Sequence, residues 1–544
     1  MTVTATKRTR SKPDVFSPLV TAGELRGMLG DGRELALLDV REEGVFAAGH
    51  LLTAACLPLS RLELLLDRSV PRRTTRVVLC DDDETLAQRA AAAMRRFGYR
   101  NISVLQGGVA AWRAAGFELF SGINVPSKAF GEHVEHACET PRIGAAELKA
   151  RMDAGEDMVV LDSRPASEYW VMNIPGALDC PGAELAYRIH EIVKRPETLV
   201  VVNCAGRTRS IIGAQSLIDA GLPNRVVALK NGTMGWHLAG LALEHGSTRE
   251  APAPGGAALG RARESAARIA KRFGVAKISP AELDRIRRDT TRTLYCFDVR
   301  SPEEYRASHL AGFANAPGGQ LVQATDRYAA VRNARIVLAD SDGVRATMTA
   351  SWLLQMGWPE VSVLEAPAGA PRVEGVEPPR VLGMENARVD GVSAAELRRR
   401  LDAGESTVVD FATSIEYRDG HVPGAWFAVR SRLRDALAKI GEAGDWVFTS
   451  PDGVLAKLAA LDAMGITAAR VRVLAGGTAA WIATGFTLER GTEHLASATD
   501  DIYYRPYDGQ SQVEQAMKDY LGWEVALAEQ IRREPYLTFK APPV

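Results

Sequence analysis

The segment LVVVNCAGRTRSIIGAQSL, residues 199–217, sets one cysteine and two arginines within six residues, between two apolar runs. The first run reads as a buried strand and Ile211 onward as a helix. Cys204 therefore stands where a strand gives way to a helix, a place where unsatisfied backbone N–H groups and the helix dipole favour an anion. Arg207 and Arg209 add positive charge. All of these lower the pKa of a thiol, so the turn is expected to hold Cys204 substantially as thiolate and to cradle an anionic substrate beside it.

The elements that must position this turn repeat four times. A helix-opening phrase recurs as TAGEL (21–25), GAAEL (144–148), SPAEL (279–283) and SAAEL (393–397), each with the signature of a capped amphipathic helix. An apolar strand then ends at Asp39, Asp162, Asp298 and Asp410, and a short helix and loop follow. A second strand, a helix ending near Gly98, Gly221, Gly357 and Gly465, and a third strand complete the unit. LQGGVAAW, LKNGTMGW and LAGGTAAW open a closing helix in copies one, two and four, whereas copy three has only LEAPAGAP. Alternating strands and helices predict an α/β fold, each unit a parallel sheet with helices on both faces. Counted from the strand-end Asp, the second turn opens after 41, 42 and 42 residues in copies one to three and after about 40 in copy four. Cys80, Asp340 and Ser450 (or Thr449) are thereby read as the counterparts of Cys204.

At this point the chain resembles the rhodanese, or sulfurtransferase, family. The resemblance rests on the DVRxxxEYxxGHxxGAxNxP segment, the strand–Cys–loop–helix and the GGxxxW phrase, and it extends to about residue 488. It implies four tandem rhodanese-like domains, at 15–122, 140–247, 276–375 and 390–488; composition marks a linker at 248–275, and the C-terminal extension at 489–544, outside the repeat, reads as holding a helix from Ser511 to Arg533. It further implies a persulfide on Cys204. The loop Ala205, Gly206, Arg207, Thr208 and Arg209 would bind the substrate through its amides. The outer sulfur of a donor such as thiosulfate would pass to cyanide or a thiol, with no metal and no organic cofactor. A rhodanese-like phosphatase is the first alternative, but its loop is one residue longer and closes with Arg where this chain has Ser210. A scaffold that binds or senses persulfide without turnover is the second.

The other turns read as inactive. Copy one surrounds Cys80 with Asp81, Asp82, Asp83 and Glu84, which would raise a thiol pKa and repel an anion. Copy three places Asp340 at the nucleophile position, although Arg345 matches Arg209. Copy four has a hydroxyl without a visible base. Asp162 and Arg164 are read as architectural, and Cys180 as a bystander rather than a thiol that relays the persulfide. Glu168 stands where some family members place a substrate-binding Arg, which counts against thiosulfate preference. His50, His309 and His421 recur, but copy two has Asn173, so histidine is not the general base there.

Composition sets the frame. Lys plus Arg (66) nearly balances Asp plus Glu (67) over 544 residues, so no global field points to nucleic acid or membrane. The basic start MTVTATKRTRSKPD has no apolar h-region, and no run reaches the length of a membrane span. Six scattered cysteines without CxxC spacing fit a reducing, cytoplasmic setting and no metal. The expected partners are small-molecule or protein sulfur donors and acceptors.

Overall fold

The computed structural model describes residues 16–540 apart from 368, 386, 510 and 538. The basic start and the outermost assigned residues, 15 and 541–544, lie outside the described residues. Each unit opens with a helix at its phrase, side-chain capped in all but the second, where Gly144 is the N-cap. Thr21 and Ser279 form reciprocal capping boxes with Glu24 and Glu282, and Ser393 accepts from the Glu396 N–H. These bonds satisfy N–H groups that a helix start leaves free.

In the second unit, strands Arg142–Ile143, Val226–Leu229, Leu199–Asn203, Met158–Asp162 and Leu178–Asp179 lie side by side in that order, all parallel. The same order recurs in the other three units. Central strands such as Leu199–Asn203 are buried along their whole length, because helices cover both faces.

The strand-end aspartates are architectural. Asp162 is buried in a bidentate pair with Arg164, whose guanidinium also donates to the Met172 carbonyl. Asp39–Arg41 and Asp298–Arg300 repeat the pair. Copy four has Ala412 in place of the arginine, and its N–H is a partner for Asp410 Oδ1 at 2.9 Å. Asp410 Oδ2 has no partner among the described residues, and burial raises this carboxyl to about 7. The recurring histidines are structural too: His50, His309 and His421 stack on Phe46, Tyr305 and Tyr417 with ring centroids 3.7–3.8 Å apart. Asn173 replaces them in copy two by donating to the Tyr169 carbonyl.

The units pack in pairs. Arg345 of the third, wholly buried, reaches Glu184 of the second at 2.8 Å, and Trp352 donates to Ser216. Arg430 of the fourth pairs with Glu63 of the first. The third unit also lends the strand Val331–Arg332 to the first, antiparallel to Leu35–Ala36. Among its described residues no closing helix follows LEAPAGAP; the strand Arg372–Val373 pairs instead with His309–Leu310.

Among the described residues, three helices lie outside the repeat. Part of the Ala/Gly/Pro-rich linker forms the helix Gly256–Phe273, seated against Glu184–Ile192 of unit two and Val344–Gln355 of unit three. Composition marked only a linker, but Ala258, Ala262, Ala266 and Ile269 fall at helical spacing and are buried, which gives it an apolar stripe. The connecting helix Val125–Cys138 runs between the first two units and packs on both Thr208–Asp219 and the C-terminal helix Val513–Ile531. None of the described helices is long and apolar enough to cross a membrane.

Candidate active site

Strand pairing fixes which residues are equivalent. Asp162 pairs with Asn203, so Cys204 is the first residue past the strand. Asp39 pairs with Cys80, Asp298 with Ala339 and Asp410 with Thr449. The counterparts of Cys204 are therefore Asp81, Asp340 and Ser450. Cys80 is not in register; it matches Asn203 and lies in the core, where burial pushes its thiol well above its ordinary pKa. The carbonyls agree with this alignment: those of Cys204, Asp81 and Ser450 accept from Thr233, Val109 and Thr478 at the closing helix. Gly232, at φ +55°, makes that approach possible, since a Cβ there would lie 2.2 Å from the Cys204 oxygen.

The four turns have one length but differ in what fills them. Asp340 accepts from the N–H groups of Asp342, Gly343 and Ala346 at 3.2, 2.6 and 2.9 Å. Asp81 accepts from Glu84, Leu86 and Ala87 at 2.6, 2.6 and 3.2 Å. Ser450 Oγ accepts from Ala456. In the second unit the N–H groups of residues 205–210 have no acceptor among the described residues. Two copies thus plug their anion cradle with their own carboxylate, and the cysteine copy leaves it bare. The Cys204 thiol lies 3.4 Å from Ser210 Oγ, which donates to the Arg207 carbonyl.

Both arginines of the turn are ion-paired. Arg207 reaches the connecting helix, bidentate on Glu132 at 2.7 Å and bonded to Glu135. Arg209 is bidentate on Glu168 at 2.9 and 2.8 Å, and Gln320 of the third unit accepts from it at 3.3 Å. Burial alone would raise the Glu168 carboxyl, but Arg209 outweighs it and holds it at about 2. Arg345 and Glu304 repeat this pair in the third unit. Both guanidiniums therefore brace the loop.

The thiol is enclosed, for Cys204 is only 2% exposed. The C-terminal helix roofs it. At Gly206 a Cβ would lie 3.0 Å from Glu524 Oε2 and Met234 Cε and 3.4 Å from Tyr520 Cε1. Glu524 Oε1 accepts from Thr208 Oγ1 at 3.1 Å, Tyr520 Oη at 3.2 Å and Lys128 Nζ at 3.3 Å, while its buried Oε2 has no partner among the described residues. Beside this roof opens a cavity of about 930 Å³, lined by Ala205, Arg209, Glu168, Lys128, Tyr520 and Arg505 among others. Cys180 is not among its lining; burial puts its thiol well above its ordinary pKa. No cluster of metal ligands occurs among the described residues.

Sequence reasoning missed Glu132, Glu135, Lys128 and Glu524. Their helices lie outside the repeat, and only an amphipathic pattern with buried-side charges marked them.

Fold and turn together define a class: parallel α/β units that present one cysteine among bare amides at a helix start. The chain belongs to the rhodanese family, whose Rhodanese-like domain matches residues 21–115, 144–239, 279–366 and 393–484. Its structure is similar to that of a thiosulfate sulfurtransferase from Pseudomonas aeruginosa, with a TM-score of 0.92 and 45% identity over 96% of this chain and 100% of that one. From Mycobacterium tuberculosis, the HTH-type transcriptional regulator Rv0324 is 26% identical over 219 residues, which is 40% of this chain and 88% of the regulator. The Probable adenylyltransferase/sulfurtransferase MoeZ of the same species is 34% identical over 94 residues, 17% of this chain and 24% of MoeZ.

Proposed function

We propose that the chain is a sulfurtransferase that carries sulfane sulfur as a persulfide on Cys204, with residues 205–209 as the binding loop. The observation that carries this reading is the bare cradle of residues 205–210 around the one cysteine at that position. The Cys204 thiolate attacks the sulfane sulfur of a donor; the donor's S–S bond breaks and the leaving group departs with the electron pair. An acceptor thiolate or cyanide then attacks the outer sulfur and releases the Cys204 thiolate. Negative charge on sulfur lies among fixed N–H dipoles in both halves, which need no rearrangement to stabilise it. The sulfur travels covalently, so no cofactor enters. Ser210 stands where the longer phosphatase loop would carry arginine, which favours sulfur over phosphate chemistry. All six cysteines are free, in keeping with a reducing, cytoplasmic setting.

Intact mass after mixing with a sulfane donor tests this. Wild type should gain one sulfur and Cys204→Ala none, and thiocyanate should accumulate well beyond one equivalent when cyanide follows. A single equivalent would instead mark a persulfide-binding scaffold.

A further inference from the structure

The roof over the cradle belongs to no repeat, and it carries a buried carboxylate that the transfer steps leave unused. The C-terminal helix Val513–Ile531 is seated by Met517 and Leu521 against Met234 and, farther along, by Leu527 and Ile531 among Leu52, Phe120, Val125 and Ala129. These apolar contacts hold the helix down on either side of the cradle. Between them lie Tyr520 and Glu524, four residues apart and so on one face. Both stand against Gly206 of the loop.

The charged groups around the thiol come in pairs. Arg207 has Glu132 and Glu135, Arg209 has Glu168, Lys128 has Glu524 and Arg164 has Asp162. Farther out, the tail brings Arg505 and Tyr507 to Glu168, and Tyr503 to Glu524. Glu132 and Glu168 each have both oxygens bonded to their arginine. Glu524 differs. Its Oε1 accepts from Thr208, Tyr520 and Lys128, while its buried Oε2 has no partner among the described residues. Burial, with Glu524 beside it, keeps the Tyr520 phenol protonated, so its hydroxyl donates.

The two oxygens act on different things. Through Oε1 the carboxylate holds Thr208, the first residue of the helix whose free N–H groups form the cradle. Those amides point where the helix start points, and a misplacement of about 1 Å at a reacting site can cost a hundredfold in rate. Through Oε2 it sets unpaired negative charge beside Gly206. In the first and third units a carboxylate also faces this turn, but it is the turn's own Asp81 or Asp340, and it binds the amides. Here the carboxylate arrives from outside and leaves the amides free. Negative charge so close opposes a thiolate, and the Lys128 ammonium offsets it.

Given Cys204 as the persulfide carrier, we propose that Glu524 is a positioning residue for the transfer. Its Oε1 aligns the cradle through Thr208, and its charge, offset by Lys128, sets the pH range in which Cys204 reacts. No bond to sulfur forms at Glu524, and no proton passes through it.

Three variants of the full chain separate the two roles. Sulfur gain from thiosulfate and from N-acetylcysteine hydropersulfide is followed by intact mass, and alkylation of Cys204 by iodoacetamide by peptide mass, each across pH 5–9. Glu524→Gln keeps an oxygen for Thr208 and loses the charge. The pH of half-maximal rate should therefore fall by about one unit in both reactions, the effect of one nearby charge, with the plateau unchanged. Thr208→Val keeps the charge and loses the bond, so the plateau of sulfur gain should fall about tenfold with the half-maximal pH unchanged. Glu524→Ala should show both effects. A half-maximal pH that Glu524→Gln leaves in place or raises would overturn the proposal. So would a plateau that survives both Thr208→Val and Glu524→Ala. Absence of sulfur gain in every form, with alkylation still shifted by Glu524→Gln, would overturn the persulfide reading and leave the charge effect on the thiol standing.

Discussion

One atom type decides whether a turn satisfies its own amides. With a carboxylate at Asp81 or Asp340, the N–H groups at the helix start are satisfied from within; with sulfur at Cys204 they stay free. Asp410 shows the same logic at the first strand, where loss of the arginine leaves a buried carboxyl without a counter-charge. Burial lifts its folded-state pKa from 3.8 to about 7. The proton it holds therefore stabilises the fold in full below about pH 4, and that stabilisation is lost as pH rises through 7. Asp410→Asn should raise the melting temperature at pH 8 by the equivalent of roughly 2 kcal/mol and matter much less at pH 5. Thermal melts across that range would check it. Among these residues Cys204, Asp162 and Arg164 were legible because they sit in a motif. The counterpart in copy one was not: Cys80 drew the register one residue short, and only the pairing of Asp39 with Cys80 moves it to Asp81. Nor was the pairing of Arg207 with Glu132 or of Lys128 with Glu524, since nothing local ties residues so far apart in the chain.

At the scale of elements, the turn depends on the start of the closing helix. Gly232→Ala should slow sulfur gain on Cys204 severalfold and cost about 2 kcal/mol, because a left-handed backbone and a clash with the Cys204 carbonyl both oppose a side chain. Loading kinetics and denaturant melts would report the two effects separately. Most elements were readable from apolar periodicity and caps, including the helix at Val513–Ile531 and the missing one in copy three. The helix Gly256–Phe273 was not, because Ala and Gly mark linkers by composition and helices by spacing, and only the second applied.

Across the whole molecule, the other three units frame the second. Gln320 of the third touches Arg209 of the second, and Arg345 crosses the same interface to Glu184. Arg345 keeps Glu304 and Asp342 when Glu184 is lost, so Glu184→Ala should destabilise by only about 1–3 kcal/mol, the loss of one charged hydrogen bond, and still leave a single unfolding transition in calorimetry, given the strand shared by units one and three. The four-unit plan was plain in the sequence. How the units pair was hidden, because it rests on side chains that meet only once each unit has folded.

That shared strand bears on synthesis. While the polypeptide emerges from the ribosome, the open margin of the first sheet at Leu35–Ala36 waits nearly 300 residues for Val331–Arg332. Until then it offers unpaired backbone to any neighbouring nascent chain, so slow translation between the first and third units prolongs the interval in which this protein is most prone to aggregate.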